Sequence, residues 1–160
     1  MTFPGFPSDD SDPGTWSELV LLVATVLLEA EGEPDAGKLG VAFVIRNRMD
    51  HHGASIRTVV LGREGLAQGD DKPYEAFSCF NDDYVPMRKQ RLAAPNQISM
   101  DRCWWAACAA YWKLLPDPTR GAKFYLNEEL TILTRPDHKL PTWFKKENVR
   151  CRIGNHTFLL

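Results

Sequence analysis

The sequence has little net charge, no long apolar segment and no paired-cysteine motif, and each shortage removes a class of function. Nineteen Lys and Arg stand against 21 Asp and Glu, a formal charge of -2. A nucleic-acid binder needs a basic face to neutralise phosphates, so no nucleic-acid partner is expected. The longest apolar run, residues 19–28, is interrupted only by Thr25. It is far short of the ~20 residues that span a bilayer. The opening MTFPGFPSDDSDPG puts acid rather than a basic stretch ahead of that run. No secretory signal is therefore expected, and synthesis in the cytoplasm is. Cys79, Cys103, Cys108 and Cys151 form no C-x-x-C pair, which matches neither zinc nor thioredoxin spacing. They read as mostly buried thiols. His51 and His52 are adjacent, and neighbours on a helix are expected to point apart, so no metal site and no cofactor are expected.

What remains is a chain of 160 residues, 44% hydrophobic, enough for one domain with one core. Residues 1–14 read as a flexible or docked tail, with three prolines and no helical or strand period. Residues 15–160 read as a single catalytic domain. Setting aside Asp9, Asp10 and Asp12 leaves that part with 19 basic and 18 acidic groups, nearly neutral. A neutral or weakly charged polymer is the partner that fits.

Thr15-Trp16-Ser17-Glu18 has the form of a capping box, predicting a helix from Trp16 to about Glu31. Its interior is apolar nearly all round, which marks a helix inside the core. Glu18, Thr25 and Glu29 fall near one stripe, which reads either as an ordinary solvated edge or as the floor of a cleft. Gly32 and Pro34 end this helix and start another, Pro34 to about Met49, with Val41, Val44, Ile45 and Met49 as its core face. Ala36, Gly37 and Gly40 give it a smooth side that would let the two helices cross closely.

Ser55 is placed to cap a short helix over residues 56–61, followed by a polar loop through Gly69, Asp70 and Asp71. Residues 76–80 read as a short extended piece. Pro86 and Pro95 read as breaks before a helix over residues 98–115, whose Trp104, Trp105, Tyr111 and Trp112 are expected in the core. Asp117–Gly121 is a turn, residues 122–126 a strand, and residues 149–153 and 156–160 a hairpin closed at Gly154-Asn155. Without internal repeats, the outline is an α+β domain.

Three carboxylates, Glu29, Glu31 and Glu33, lie within five residues at the end of the first helix. A carboxyl group in partly apolar surroundings can hold its proton near neutrality, and glycosidic bonds need such a proton. The helix C-terminus adds partial negative charge at the same place. Glu29 is then the proton carrier, Glu31 a solvent-facing or cleft-rim group, and Glu33 a neighbour of free amides at the start of the second helix. A Cys79–His156 pair would instead suit an amidase, but Cys79 does not visibly open a helix, the usual means of activating a thiol.

Glu29-Ala30-Glu31-Gly32-Glu33-Pro34, Phe77-Ser78-Cys79-Phe80, Asp117-Pro118-Thr119-Arg120-Gly121-Ala122, Pro141-Thr142-Trp143 and Ile153-Gly154-Asn155-His156-Thr157-Phe158, in that order, resemble the SleB/CwlJ-type cell-wall hydrolases. The resemblance runs from about Leu19 onward. It implies a lysozyme-like α+β fold related to lytic transglycosylases, a peptidoglycan glycan-strand substrate, a monomer, and Glu29 as the catalytic acid. It is also compatible with a phage-encoded lysin acting on the bacterial wall. The sequence departs from the family pattern at Glu31, where arginine is common, at Phe80 in place of tryptophan, at Arg120 in place of glycine and at Leu159 in place of an aromatic. Loss of a cation beside the acid is the departure expected to matter most.

By the same resemblance a single glutamate protonates the N-acetylmuramic acid–N-acetylglucosamine bond, and the muramic C6 hydroxyl closes a 1,6-anhydro product. Phe77, Tyr125 and Trp143 are the nominees for sugar stacking, and Ser78, Asn127 and His156 for hydrogen bonds; each has an alternative in core packing or turn fixing. Plain hydrolysis with Asp82 or Asp83 activating water, and a non-catalytic wall-binding or virion module, stay open.

Overall fold

The computed structural model describes residues 12–62, 77–80 and 85–160. The loop through Gly69–Asp71, the residues Asp82 and Asp83, and most of the N-terminal tail lie outside them. Within these segments, helices α1 (Glu18–Ala30), α2 (Asp35–His52), α3 (Ile56–Leu61), α4 (Val85–Ala93), α5 (Gln97–Tyr111) and α6 (Glu128–Thr134) surround a three-stranded sheet of β1 (Phe124–Leu126), β2 (Val149–Ile153) and β3 (His156–Leu159). The strand order is β1-β3-β2, antiparallel throughout. The α+β expectation is met, and no helix among the described residues is long and apolar enough to cross a membrane.

The core forms where α1, α2 and α5 pack on one another. Leu21, Leu22, Val23, Val26 and Leu27 of α1 are almost fully buried, so the all-apolar first helix is internal, as its pattern implied. Its start differs from the expectation. Ser17, not Thr15, is the cap, its hydroxyl accepting from the Val20 amide, while the Thr15 hydroxyl donates to the Asp12 carbonyl in a 3-10 turn at Pro13–Thr15. Both residues are good cap formers two positions apart, and the buried Trp16 decides between them. The polar stripe on α1 is not wet along its length: Thr25 is fully buried and its hydroxyl returns to the Leu21 carbonyl.

The small side of α2 meets the sheet rather than α1. A Cβ at Gly40 would lie 2.7 Å from Phe158 Cζ and 3.2 Å from Thr119 Cγ2. Asn47 on the same helix donates to Asp117, whose carboxylate also accepts from the amides of Thr119 and Gly121. That clasp fixes the turn leading into β1. Ser55 caps α3 as expected.

The region from 77 to 115 departs most. Residues 78–80 form a 3-10 turn rather than an extended piece. Pro86 lies in the first turn of α4 instead of breaking the chain, a position where its missing amide hydrogen costs nothing. The next helix stops at Tyr111, and its aromatics divide: Trp104 and Tyr111 are partly buried against the core, while Trp105 and, just past the helix, Trp112 are 46% and 55% exposed. Small residues, Ala106, Ala107, Ala109 and Ala110, take the buried face, allowing close approach to α1 and α2.

The hairpin closes at Gly154-Asn155 as its sequence suggests. Gly154 has φ +58°, and a Cβ there would overlap Glu33 Oε2 and come within 2.8 Å of Pro34 Cδ. Arg120 also sits in the left-handed region, at φ +58°. For a residue with a Cβ that region costs on the order of 1 kcal/mol. Arg120→Gly is therefore expected to raise unfolding stability by roughly 1 kcal/mol. An unchanged or lower urea midpoint at equal m-value would contradict the strain.

Candidate active site

Glu29 occupies the last turn of α1, half-buried, and its Oε2 accepts a 2.9 Å hydrogen bond from the Tyr125 hydroxyl. Tyr125 is the central residue of β1, so the edge strand of the sheet holds the end of the central helix. Its ring lies 4.9 Å from His156, 5.9 Å from Phe158 and 6.3 Å from Phe77, centroid to centroid. Burial, with the Glu29 charge next, holds the Tyr125 phenol well above its ordinary value, so it stays a donor.

The α1 terminus is secured by two cations from elsewhere in the chain. Arg91 of α4 donates to the carbonyls of Leu28 (2.6 Å) and Leu27 (2.8 Å) and pairs with Glu31 at 2.9 Å. Lys38, buried on α2, donates to the carbonyls of Glu31 and Glu33. The partial negative charge expected at this terminus is thus met, and the cation expected to be missing beside the acid is supplied from α4. Glu31 is paired rather than simply solvent-facing. Glu33 does not serve the second helix: its carboxylate accepts from the Asn155 amide (2.9 Å) and the Asn155 side chain (3.0 Å).

His156 is buried at 8% exposure, and its Nδ1 has no hydrogen-bond partner among the described residues. Burial lowers its proton affinity, opposed by Glu33 and Glu29. Cys79 is buried on the 3-10 turn; burial, then the charge of Glu29 and a hydrogen bond to it, push the thiol well up. A nucleophilic thiol needs the opposite shift, which weighs against the amidase reading.

The other nominees are dispersed. Phe77 is buried, with the Arg48 guanidinium 5.3 Å from its ring centre, so it backs Tyr125 rather than offering a face to a sugar. Ser78 lies on the same turn, its side chain outside the described residues. Asn127 caps α6, its side-chain oxygen accepting from the Leu130 amide. Trp143 is 42% exposed beside Phe124. Sequence reasoning missed Arg91, Arg48 and Phe124. Lys38 carried a signal, a lone charge in an apolar helix. The rings of His51 and His52, expected to diverge, meet edge to face at 4.7 Å because they lie in the last turn of α2, and no metal-binding group of His, Cys, Asp and Glu occurs among the described residues.

A profile of the cell wall hydrolase family matches residues 32–159. The chain belongs to that family. No curated protein and no solved structure matches it. The lysozyme-like α+β class and degradation of peptidoglycan follow from membership. Glu29 lies just ahead of the matched span, so its role rests on geometry.

Because burial depresses His156, the folded hydrolase binds its proton less readily than the unfolded chain does. The sign is that the stabilising contribution is present above the ordinary imidazole value of 6.5 and is lost as pH falls below it toward the depressed folded value. Denaturant titrations from pH 8 to 5 should show wild type losing stability more steeply than His156→Gln. Parallel curves would sink this assignment.

Proposed function

We propose that the protein cleaves the N-acetylmuramic acid–N-acetylglucosamine bond of peptidoglycan as a lytic transglycosylase, with Glu29 as its single proton-transfer group. The observation that carries the reading is the Tyr125–Glu29 hydrogen bond, which aims one carboxyl group in a half-buried setting. A sealed, dry carboxylate would have favoured a non-catalytic module. The motif's other two acids are committed, Glu31 to Arg91 and Glu33 to Asn155. Glycosidases that use water commonly rely on two carboxylates, and one available acid suits internal attack better.

In the first half of the reaction the Glu29 proton passes to the glycosidic oxygen as the bond to C1 breaks. The muramic C6 hydroxyl then adds to C1 and returns its proton to Glu29. No water enters, and the enzyme regains its starting state. Attack by the substrate's own hydroxyl makes the step intramolecular, so positioning supplies much of the rate. Tyr125 keeps the carboxyl group in register through both transfers.

Glu29→Gln should lower turnover at least ~10²-fold with the melting temperature preserved, since the amide fills the same space but carries no transferable proton. Tyr125→Phe should cost about tenfold, the usual weight of a hydrogen bond to a charged group. Mass spectrometry of digested peptidoglycan should show 1,6-anhydro ends, lighter by one water. Reducing-end muramic acid carrying oxygen from labelled water would reject transglycosylation, and full activity in Glu29→Gln would remove Glu29 from the chemistry.

A further inference from the structure

A chain of ring and guanidinium contacts leads outward from Tyr125, the partner of Glu29, to the exposed end of the sheet edge. Behind Tyr125 lies Phe77; the Arg48 guanidinium sits 5.3 Å from the Phe77 ring centre and 4.9 Å from that of Phe124. Phe124 in turn stands 5.9 Å from Trp143, with ring planes 36° apart. Phe124 and Trp143 are each 42% exposed, unlike the buried Phe77 behind them. Phe124 neighbours Tyr125 on an edge strand, so the ring pair is joined through backbone, and through Arg48 and Phe77, to the residue that holds Glu29.

We propose that Phe124 and Trp143 form a stacking subsite for a pyranose ring of the glycan strand, displaced from the scissile bond, with Arg48 fixing the platform from behind. The inference rests on the reading of Glu29 as the reaction point, because it takes the strand's path from there. Sugar rings present an apolar C–H face that stacks on aromatic side chains, and rings already held in place lose little freedom on binding. Arg48 supplies that rigidity: its Nε donates to the Lys123 carbonyl while its planar group contacts both rings. Charge favours the same occupant. Lys139, Lys145 and Lys146 are exposed in the segment that carries Trp143, and the stem peptides attached to wall glycan bear carboxylates.

The test pairs two readouts. In a Glu29→Gln background, binding to purified sacculi should weaken about tenfold or more when Phe124 and Trp143 are both changed to Ala, a loss typical of removing stacking aromatics. Trp143→Phe, which keeps a ring, should retain most of the binding. In the active enzyme, the ratio of cleavage rate on long glycan strands to that on the shortest cleaved oligomer should fall by a similar factor in the double variant. Unchanged sacculus binding, or an unchanged length ratio, overturns the subsite. A dimer in sedimentation that the double variant dissociates would make the platform a contact between copies and overturn it too. Activity in Glu29→Gln alone would strike the reaction assignment and leave the binding result to be judged by itself.

Discussion

The C-terminus of α1 has carbonyls with no intrahelical partner, and the residues that end it are buried or half-buried. That constraint governs the arrangement around it. Unpaired carbonyls at such an end are costly; the Glu33 amide meets that of Ala30, and for Leu27, Leu28 and the capping Glu31 other parts of the chain bring donors. Arg91 and Lys38 are those donors, from α4 and α2. Their attachment sets where α4 lies. From the same helix Arg88 reaches the Cys79 carbonyl at 3.1 Å, so one nine-residue helix ties down both the end of α1 and the turn beside Glu29.

The second constraint is the close approach of the hairpin to the α1–α2 turn. Glu33 grips Asn155, and only a glycine at 154 leaves space for that carboxylate. The grip places β3, and β3 places both His156 and, across the ladder, Tyr125 opposite Phe158. Three acids that look alike in sequence thus have three settings: one held by a tyrosine hydroxyl, one neutralised by a cation, one used as a structural clasp. The partners, not the acids, make the distinction.

This explains which features were legible in the sequence. Local signals held where the answer is local: the Ser55 cap, the internal character of α1, the tight turn at Gly154-Asn155. Where two local answers compete, as with Thr15 and Ser17, packing of Trp16 decides, and that is a tertiary fact. Pro86 misled because proline is a breaker only away from the first turn of a helix. The wiring of the site was illegible for a different reason: Arg91 is 63 residues from Leu28, and Tyr125 is 96 residues from Glu29. No period or spacing announces contacts of that range. Trp105 and Trp112 were misplaced because alanines, not large rings, fill the tight crossing, which leaves only Trp104 and Tyr111 against the core.

The Glu33–Asn155 clasp joins residues 122 positions apart. The cradle around Glu29 is therefore incomplete until the α1–α2 turn and the distant hairpin have met. Contacts of such long range also form late in folding, after the helices have collected. The setting of Glu29 is thus a property of the assembled fold and not of the α1–α2 turn alone.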